Sequence, residues 1–389
     1  MREIYTADRT VLERLDVNIV RQFLDRHARE IQRLEKLRRY YCGYHDILER
    51  ERGADAPNNR VVCNHAKEII DTAAGHFMGN PISYSGPGAE QITDWFKAAE
   101  IDSVDINNAK NTGIYGISYE LVTMSDDESP IPKSYSILPQ NTFLVCDNTV
   151  EHKPLFAVHH YAEEDAAGAV VCHVVNVYTA ERVVSYKLEP HFGSVLEETE
   201  APNFLGEVPI IEYWNNEERQ GDFEQQISLI DAYDTLMSDR VNDKEEFVDA
   251  ILVLINAMLG DTPEERVEAA EQLKRNRLIE LPSESDARYL LRTFDEAGVD
   301  ILRRAIEQDI HKFSSVPCLS DENFAGNASG VSLEYKLLGL EDLTKIKERY
   351  YTKGLKRRIA LYTAAYALKG EAAPGNAEPV FSRGLPKNV

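Results

Sequence analysis

Residues 222–259 read DFEQQISLIDAYDTLMSDRVNDKEEFVDAILVLINAML. Phe223, Ile227, Ile230, Tyr233, Met237 and Val241 recur at spacings of three or four, the apolar stripe of a helix, and Val248, Ile251, Ile255 and Met258 continue it. Unbroken, such a helix would be about 57 Å long at 1.5 Å per residue. The stripe skips a beat at Lys244 and Glu245, where a kink or a change of partner is expected. A second, polar stripe runs beside it: Asp231, Asp234, Ser238, Asn242, Glu246 and Asp249. It suits a solvated helix face. It suits equally the lining of a water-filled passage for something negatively charged. A carboxylate-bridged dimetal site would also want Glu-x-x-His, a tetrapeptide that occurs nowhere in the chain.

Working outward, Thr262, Pro263 and Glu265 form a capping box with proline at the first helical position, opening a helix to about residue 275. NRLIEL and ARYLLRT, joined by PSESD, are expected to make a hairpin. A second long helix carries Phe294, Ile301, Ala305, Ile310 and Phe313 on one face and stops at Pro317. After the loop PCLSDENFAGNASG comes a last helix over about 331–368, rich in Lys345, Lys347, Arg349, Lys353, Lys356, Arg357, Arg358 and Lys369. Those cations are expected to pair with acidic elements elsewhere. Residues beyond Gly370 have the composition of a loose tail. Before residue 222, helices are expected near 23–37, 64–78 and 89–109, and a mostly antiparallel sheet over 113–214, where β-branched and aromatic runs alternate with polar turns. The expected fold class is α+β.

The 389 residues carry 43 basic and 66 acidic side chains, a net charge of −23. That balance excludes a basic coat gripping nucleic acid everywhere, though not guided contact with DNA. No apolar run is long enough to span a membrane, and the charged N-terminus MREIYTADRT lacks a secretory core. Five scattered cysteines without C-x-x-C suit free thiols in a reducing compartment. Phosphate-loop, dinucleotide, nucleophile-elbow, zincin and calcium-loop motifs are absent. His159-His160 and Cys172-His173 invite a metal reading, but neighbouring strand residues point to opposite faces, so neither dipeptide can readily chelate one ion. The sequon at Asn327 would matter only in a secreted chain. The residues alone therefore describe a multi-domain interaction protein rather than an enzyme.

Three strings in order add a resemblance: YHDIL (44–48) with NNRVVCNHAKEIID (58–71) and FMGNPISY (77–84); ISLIDAYDTLMSDRVNDKEEFVDAIL (227–252); and LSDENFAGNASGVSLEYKLLGLE (319–341). Together, over about residues 20–370, they resemble the portal, or head-to-tail connector, proteins of long-tailed double-stranded-DNA bacteriophages. The resemblance implies a helix-and-sheet wing (1–220), a first stem helix (221–255), a small α/β clip (256–294), a second stem helix (295–316), a tunnel loop (317–332), and a long helix returning to the wing (333–389) with a reduced crown.

The resemblance further implies a homo-oligomeric ring, usually of twelve subunits, at one capsid vertex of the virion, assembled in the host cytoplasm. Double-stranded DNA would pass through it. The terminase packaging motor, a head-completion or adaptor protein, and major capsid and scaffolding proteins would be its partners. No cofactor, metal or membrane is implied. In the tunnel loop, Asn323, Phe324, Asn327 and Ser329 are candidates for DNA contact, with Gly326 and Gly330 as bending points. Asp231, Asp234 and Asp249 are candidates for the channel lining, where negative charge would disfavour lasting phosphate contacts. Glu264, Glu265, Arg275 and Arg277 are candidates for clip docking. The competing readings are a metal-dependent phosphoesterase using the acidic helix and another phage connector or capsid protein.

Overall fold

The computed structural model describes residues 4–53, 56–126, 128–248, 251–255, 262–276, 285–290, 296–319 and 335–383. The N-terminal half begins β1 (Tyr5–Ala7), α1 (Val17–Tyr41), α2 (His65–Met78), β2 (Ser83–Ser85), α3 (Ala89–Ala98) and α4 (Ile101–Tyr115). Eight strands follow: β3 (Ile117–Met124), β4 (Pro132–Ile137), β5 (Thr142–Asp147), β6 (Pro154–Glu164), β7 (Val170–Thr179), β8 (Arg182–Leu188), β9 (Val195–Pro202) and β10 (Ile210–Trp214). The remainder comprises α5 (Ile227–Val248), β11 (Ile251–Ile255), α6 (Pro263–Asn276), β12 (Asp286–Leu290), α7 (Glu296–Ser314), α8 (Leu338–Leu368) and β13 (Glu378–Val380). Two units result. The first holds residues 1–45, 64–230 and 308–389; the second holds 46–63 and 231–307.

In the first unit a six-stranded sheet has the order β1-β5-β6-β7-β8-β9, antiparallel except where β1 lies parallel to β5. Helix α1 covers it: Val20, Phe23 and Leu24 pack with Phe143, Phe156, Val158, Val175 and Val177. Asp16 starts that helix by accepting from the N–H groups of Asn18 and Ile19 at 3.0 and 2.9 Å. A second sheet, β10-β3-β4, is antiparallel. It shares a core with α3, α4 and α8 in which Trp95, Phe96, Tyr213, Tyr351, Leu355 and Tyr362 are buried. Close approach sets two glycines there. Gly116 ends α4 at φ +84°, where a Cβ would meet the Arg219 carbonyl oxygen at 2.0 Å, and a Cβ at Gly354 would lie 2.4 Å from the Tyr213 ring.

The second unit is a pair of helices with a small cap. Tyr233 accepts from Arg303 at 3.4 Å and Lys244 donates to Glu296 at 2.5 Å, so α5 and α7 run antiparallel. Strands β11 and β12, which follow α5 and precede α7, pair from Ile251↔Leu290 to Ile255↔Asp286. Between them lies α6, whose capping box is formed in both directions: Glu265 N–H to Thr262 Oγ1 and Thr262 N–H to Glu265 Oε2, each 3.3 Å.

Four expectations change. The first long helix ends at Val248 instead of running on to residue 255 or beyond, so α5 is about 33 Å long. Residues 251–255, ILVLI, are aliphatic and β-favouring and take β12 as partner. ARYL thus pairs with β11, and the expected hairpin partner NRLIEL lies mostly outside the described residues. The stretch 89–109 is two helices, broken at Glu100 with φ +55°. Residues 371–383 are held, not loose, and 384–389 lie outside the described residues. β13 pairs with β2, Trp95 Nε1 donates to Glu371 at 3.2 Å, and Arg383 chelates Glu341 at 2.7 and 2.8 Å. Residues 46–63, expected with the wing, belong to the second unit.

Candidate functional site

The polar stripe of α5 has a partner within its own chain. Asp234, Ser238 and Asn242 are each 0% exposed. Asn242 Oδ1 accepts from the Asn59 N–H at 2.7 Å, Ser238 Oγ from the Val61 N–H at 2.9 Å, and Asp234 Oδ1 from the Cys63 N–H at 2.8 Å. The match is geometric. Residues four apart on a helix rise about 6.0 Å, and alternate residues of an extended chain advance about 6.6 Å. Three side chains at i, i+4 and i+8 can therefore serve three alternate N–H groups of a strap running antiparallel to the helix. The strap needs such partners because a buried N–H left unpaired costs about 1–3 kcal/mol.

Charged contacts extend the strap. Arg50 and Arg52 both reach Asp239, the latter at 2.6 Å, and Asn59 Nδ2 donates to Glu245 at 2.8 Å. Burial pushes the Cys63 thiol up, and the nearby carboxylates of Asp234 and Glu307 add to the shift. On the facing helix Arg303 binds Asp300 at 3.1 Å and Glu307 at 2.8 Å.

The reading of Asp234 as an open, channel-facing carboxylate is thereby corrected, since the side chain lies under residues 59–63 and is spent on the Cys63 amide. Asp231, one turn earlier, is half-buried. Asp249 lies outside the described residues, as do Asn323, Phe324, Gly326, Asn327, Ser329, Gly330 and Arg277. Glu264, Glu265 and Arg275 are exposed on α6, although Glu265 also caps its own helix. The tunnel-loop and docking residues are thus not brought together with one another by anything described.

In the first unit the cations of α8 meet carboxylates. Arg358, 0% exposed, donates through Nε and Nη2 to the two oxygens of Glu120 at 2.7 and 2.5 Å and lies 2.7 Å from Asp105. Tyr213 and Asn108 also donate to Glu120, at 2.8 and 3.1 Å. One guanidinium faces two carboxylates, so burial pushes the Asp105 carboxyl up against the pull of Arg358. Lys347 pairs with the buried Asp222, and Lys356 lies 3.5 Å from Glu378. Lys353 sits over the Trp214 ring. Two cations of the basic helix, Lys347 and Arg358, are therefore spent inside the fold, while Lys345, Arg349, Lys353 and Lys356 stay exposed.

The histidines weighed as metal ligands also have ordinary roles. His160 is buried on β6, where burial lowers it to about 4, and Cys172 donates to Glu163 at 3.2 Å. No helix among the described residues is long and apolar enough to cross a membrane. What sequence reading missed was the strap, because its rungs join residues 171–183 positions apart.

Known proteins place this architecture. The chain is 26% identical over 389 residues to the portal protein of Bacillus phage SPP1, covering 92% of this chain and 74% of that protein. It is 23% identical over 360 residues to the portal protein of Clostridium phage phiCD119, covering 84% and 78%. Among solved structures it resembles a chain in the neck of an empty GTA particle, with TM-score 0.45, 11% identity, and coverage of 81% and 80%. The family model for phage portal proteins of the SPP1 Gp6-like type matches residues 21–389, and the chain accordingly belongs to that family.

Proposed function

We propose that this chain is the repeating subunit of a ring at the capsid vertex, through which double-stranded DNA is packaged and later ejected. The observation that carries the reading is the family match over residues 21–389. The second unit supports it independently: two antiparallel helices joined through a small αβ cap have the layout of a stem and clip. Head-to-tail contacts close into a ring when the rotation per subunit divides the circle, and twelve is the number we propose. In this role the chain conducts DNA and performs no catalysis. Its net charge of −23, repeated around a ring, disfavours stable phosphate contacts and suits a duplex that must slide.

Within that reading Asp231 is the remaining described candidate for the lining, and residues 317–332 carry the loop proposed to reach the DNA. The exposed Glu264, Glu265 and Arg275 on α6 are the proposed docking face for the packaging motor and, afterwards, the adaptor. Negative-stain electron microscopy with light-scattering mass tests the ring. Annular particles of about twelve times 44.1 kDa, with a hole wide enough for a duplex, are expected. Subunits that remain monomeric even when co-expressed with capsid and scaffolding proteins would overturn it.

A further inference from the structure

Where α2 begins, α7 ends and the chain leaves towards residue 320, three potential metal donors converge within the first unit. His65 and Glu68 lie three residues apart on the first turn of α2, and His311 lies in the last turn of α7. One donor atom from each falls within 4.8 Å of the others. Glu68 Oε2 is 3.5 Å from His65 Nδ1 and 3.9 Å from His311 Nε2. Donors around a tetrahedral zinc ion, with bonds of about 2.0–2.2 Å, are separated by roughly 3.3 Å, so the three donors, all within 4.8 Å of one another, must draw together by at most about 1.5 Å. Cys318, four residues after the end of α7, neighbours the Glu68 carboxylate, and its thiol is of the right kind to serve as a fourth donor.

The orientation of His311 is the sharper observation. The ring is 7% exposed, and its Nδ1 lies 3.0 Å from the Val316 carbonyl oxygen, which makes that nitrogen the N–H donor. Nε2 is then the bare lone pair, buried and without a hydrogen-bond partner. A backbone carbonyl fixing the tautomer of a histidine in this way is the usual support of a ligand. The local chain is shaped for it. Ser315 takes φ +59°, and Ser314 Oγ donates to the His311 carbonyl at 3.2 Å, folding Val316 back over the ring. A simple His–Glu ion pair explains less, because 3.9 Å is too long for a hydrogen bond.

We propose that His65, Glu68 and His311, with Cys318 as fourth ligand, bind one divalent transition-metal ion of zinc-like chemistry. Two neutral imidazoles, one carboxylate and one thiolate balance the ion's charge, and binding releases the thiol proton to solvent. The ion clasps the start of α2 to the end of α7 and pins the chain two residues before residue 320. The site stands on these side chains alone, whatever the oligomeric state of the protein.

The test uses the full chain, stripped with chelator and freed of it. Zinc titrated against a chromogenic competitor should bind at one per subunit and raise the unfolding temperature by several degrees at a hundredfold excess over Kd. Cobalt should give the intense visible bands of a tetrahedral site together with a thiolate charge-transfer band, and Cys318→Ser should remove only the latter. His311→Gln and His65→Gln should weaken zinc roughly 100-fold or more. Glu68→Gln, at a half-exposed position, should fold normally and lose most of the thermal shift. Absence of stoichiometric zinc overturns the proposal, as does equal affinity in the His65/His311 double variant. If the histidine variants do not fold, the wild-type cobalt spectrum decides, and weak octahedral bands overturn the site.

Discussion

On α8, Lys347 and Arg358 meet carboxylate side chains in the first unit, whereas on α5, Asp234, Ser238 and Asn242 meet backbone N–H groups in the second. On each helix some of the polar side chains are buried, Lys347 and Arg358 on α8 and Asp234, Ser238 and Asn242 on α5. The difference lies in how the energy is distributed. A buried ion pair concentrates it, because removing one partner strands a charge at a cost of about 3–5 kcal/mol. A ladder of neutral and singly charged hydrogen bonds spreads it over rungs of about 1–3 kcal/mol each when broken. The α8 contacts therefore lock a core, and the α5 contacts hold a strap that can open one rung at a time.

The sharpest way to break this comparison is Arg358→Ala. It leaves Glu120 buried beside Asp105 with no cation and should destabilise the protein by about 3–5 kcal/mol in urea unfolding. Replacing all three together, Arg358→Met with Glu120→Gln and Asp105→Asn, should recover much of the loss, since no charge is then stranded. A single substitution costing under about 1 kcal/mol would mean that Arg358 is not a lock, and the contrast with α5 would fail.

The strap is tested by hydrogen exchange at residues 59, 61 and 63. Ser238→Ala should cost about 1–3 kcal/mol and speed exchange at Val61 about tenfold or more, with smaller effects at Asn59 and Cys63. Asp234→Ala should do the same at Cys63. Uniform acceleration at every amide of the second unit would show that the rungs open together, and the strap would then be as cooperative as the α8 lock.

These two helices also show where sequence reading stops. Helix starts were legible because their signals are local: Asn64 caps α2 through the Lys67 N–H at 2.9 Å, and the Thr262–Glu265 box opens α6. The antiparallel sheet was legible for the same reason, as its turns and β-branched runs are contiguous. The end of α5 was not, since ILVLI continues a helical stripe and becomes a strand only because DARYL, 35 positions on, pairs with it. The polar stripe was legible as a stripe but not as a receptor, because nothing in residues 231–242 names residues 59–63. His65 and Glu68 share a local H-x-x-E spacing, yet His311 joins them only through the fold.

The smallest expected effect bears on the C-terminal residues, where the comparison can be sharpened by pH. Arg383 chelates Glu341 through two hydrogen bonds and holds its carboxyl at about 2, well below the ordinary 4.5. His76 adds a contact at 3.1 Å. A carboxyl depressed in the folded state binds its proton more weakly there than in the unfolded chain. The stabilisation is therefore complete above pH 4.5 and is lost as pH falls towards 2. Both side chains are partly exposed, so solvent screening reduces the contribution to about 1 kcal/mol. Arg383→Ala should lower the unfolding temperature at pH 7 and by less at pH 3. A gap that stays the same at both values would assign the contribution to packing of β13 rather than to charge. This surface pair would then differ in kind, and not only in size, from the lock at Arg358.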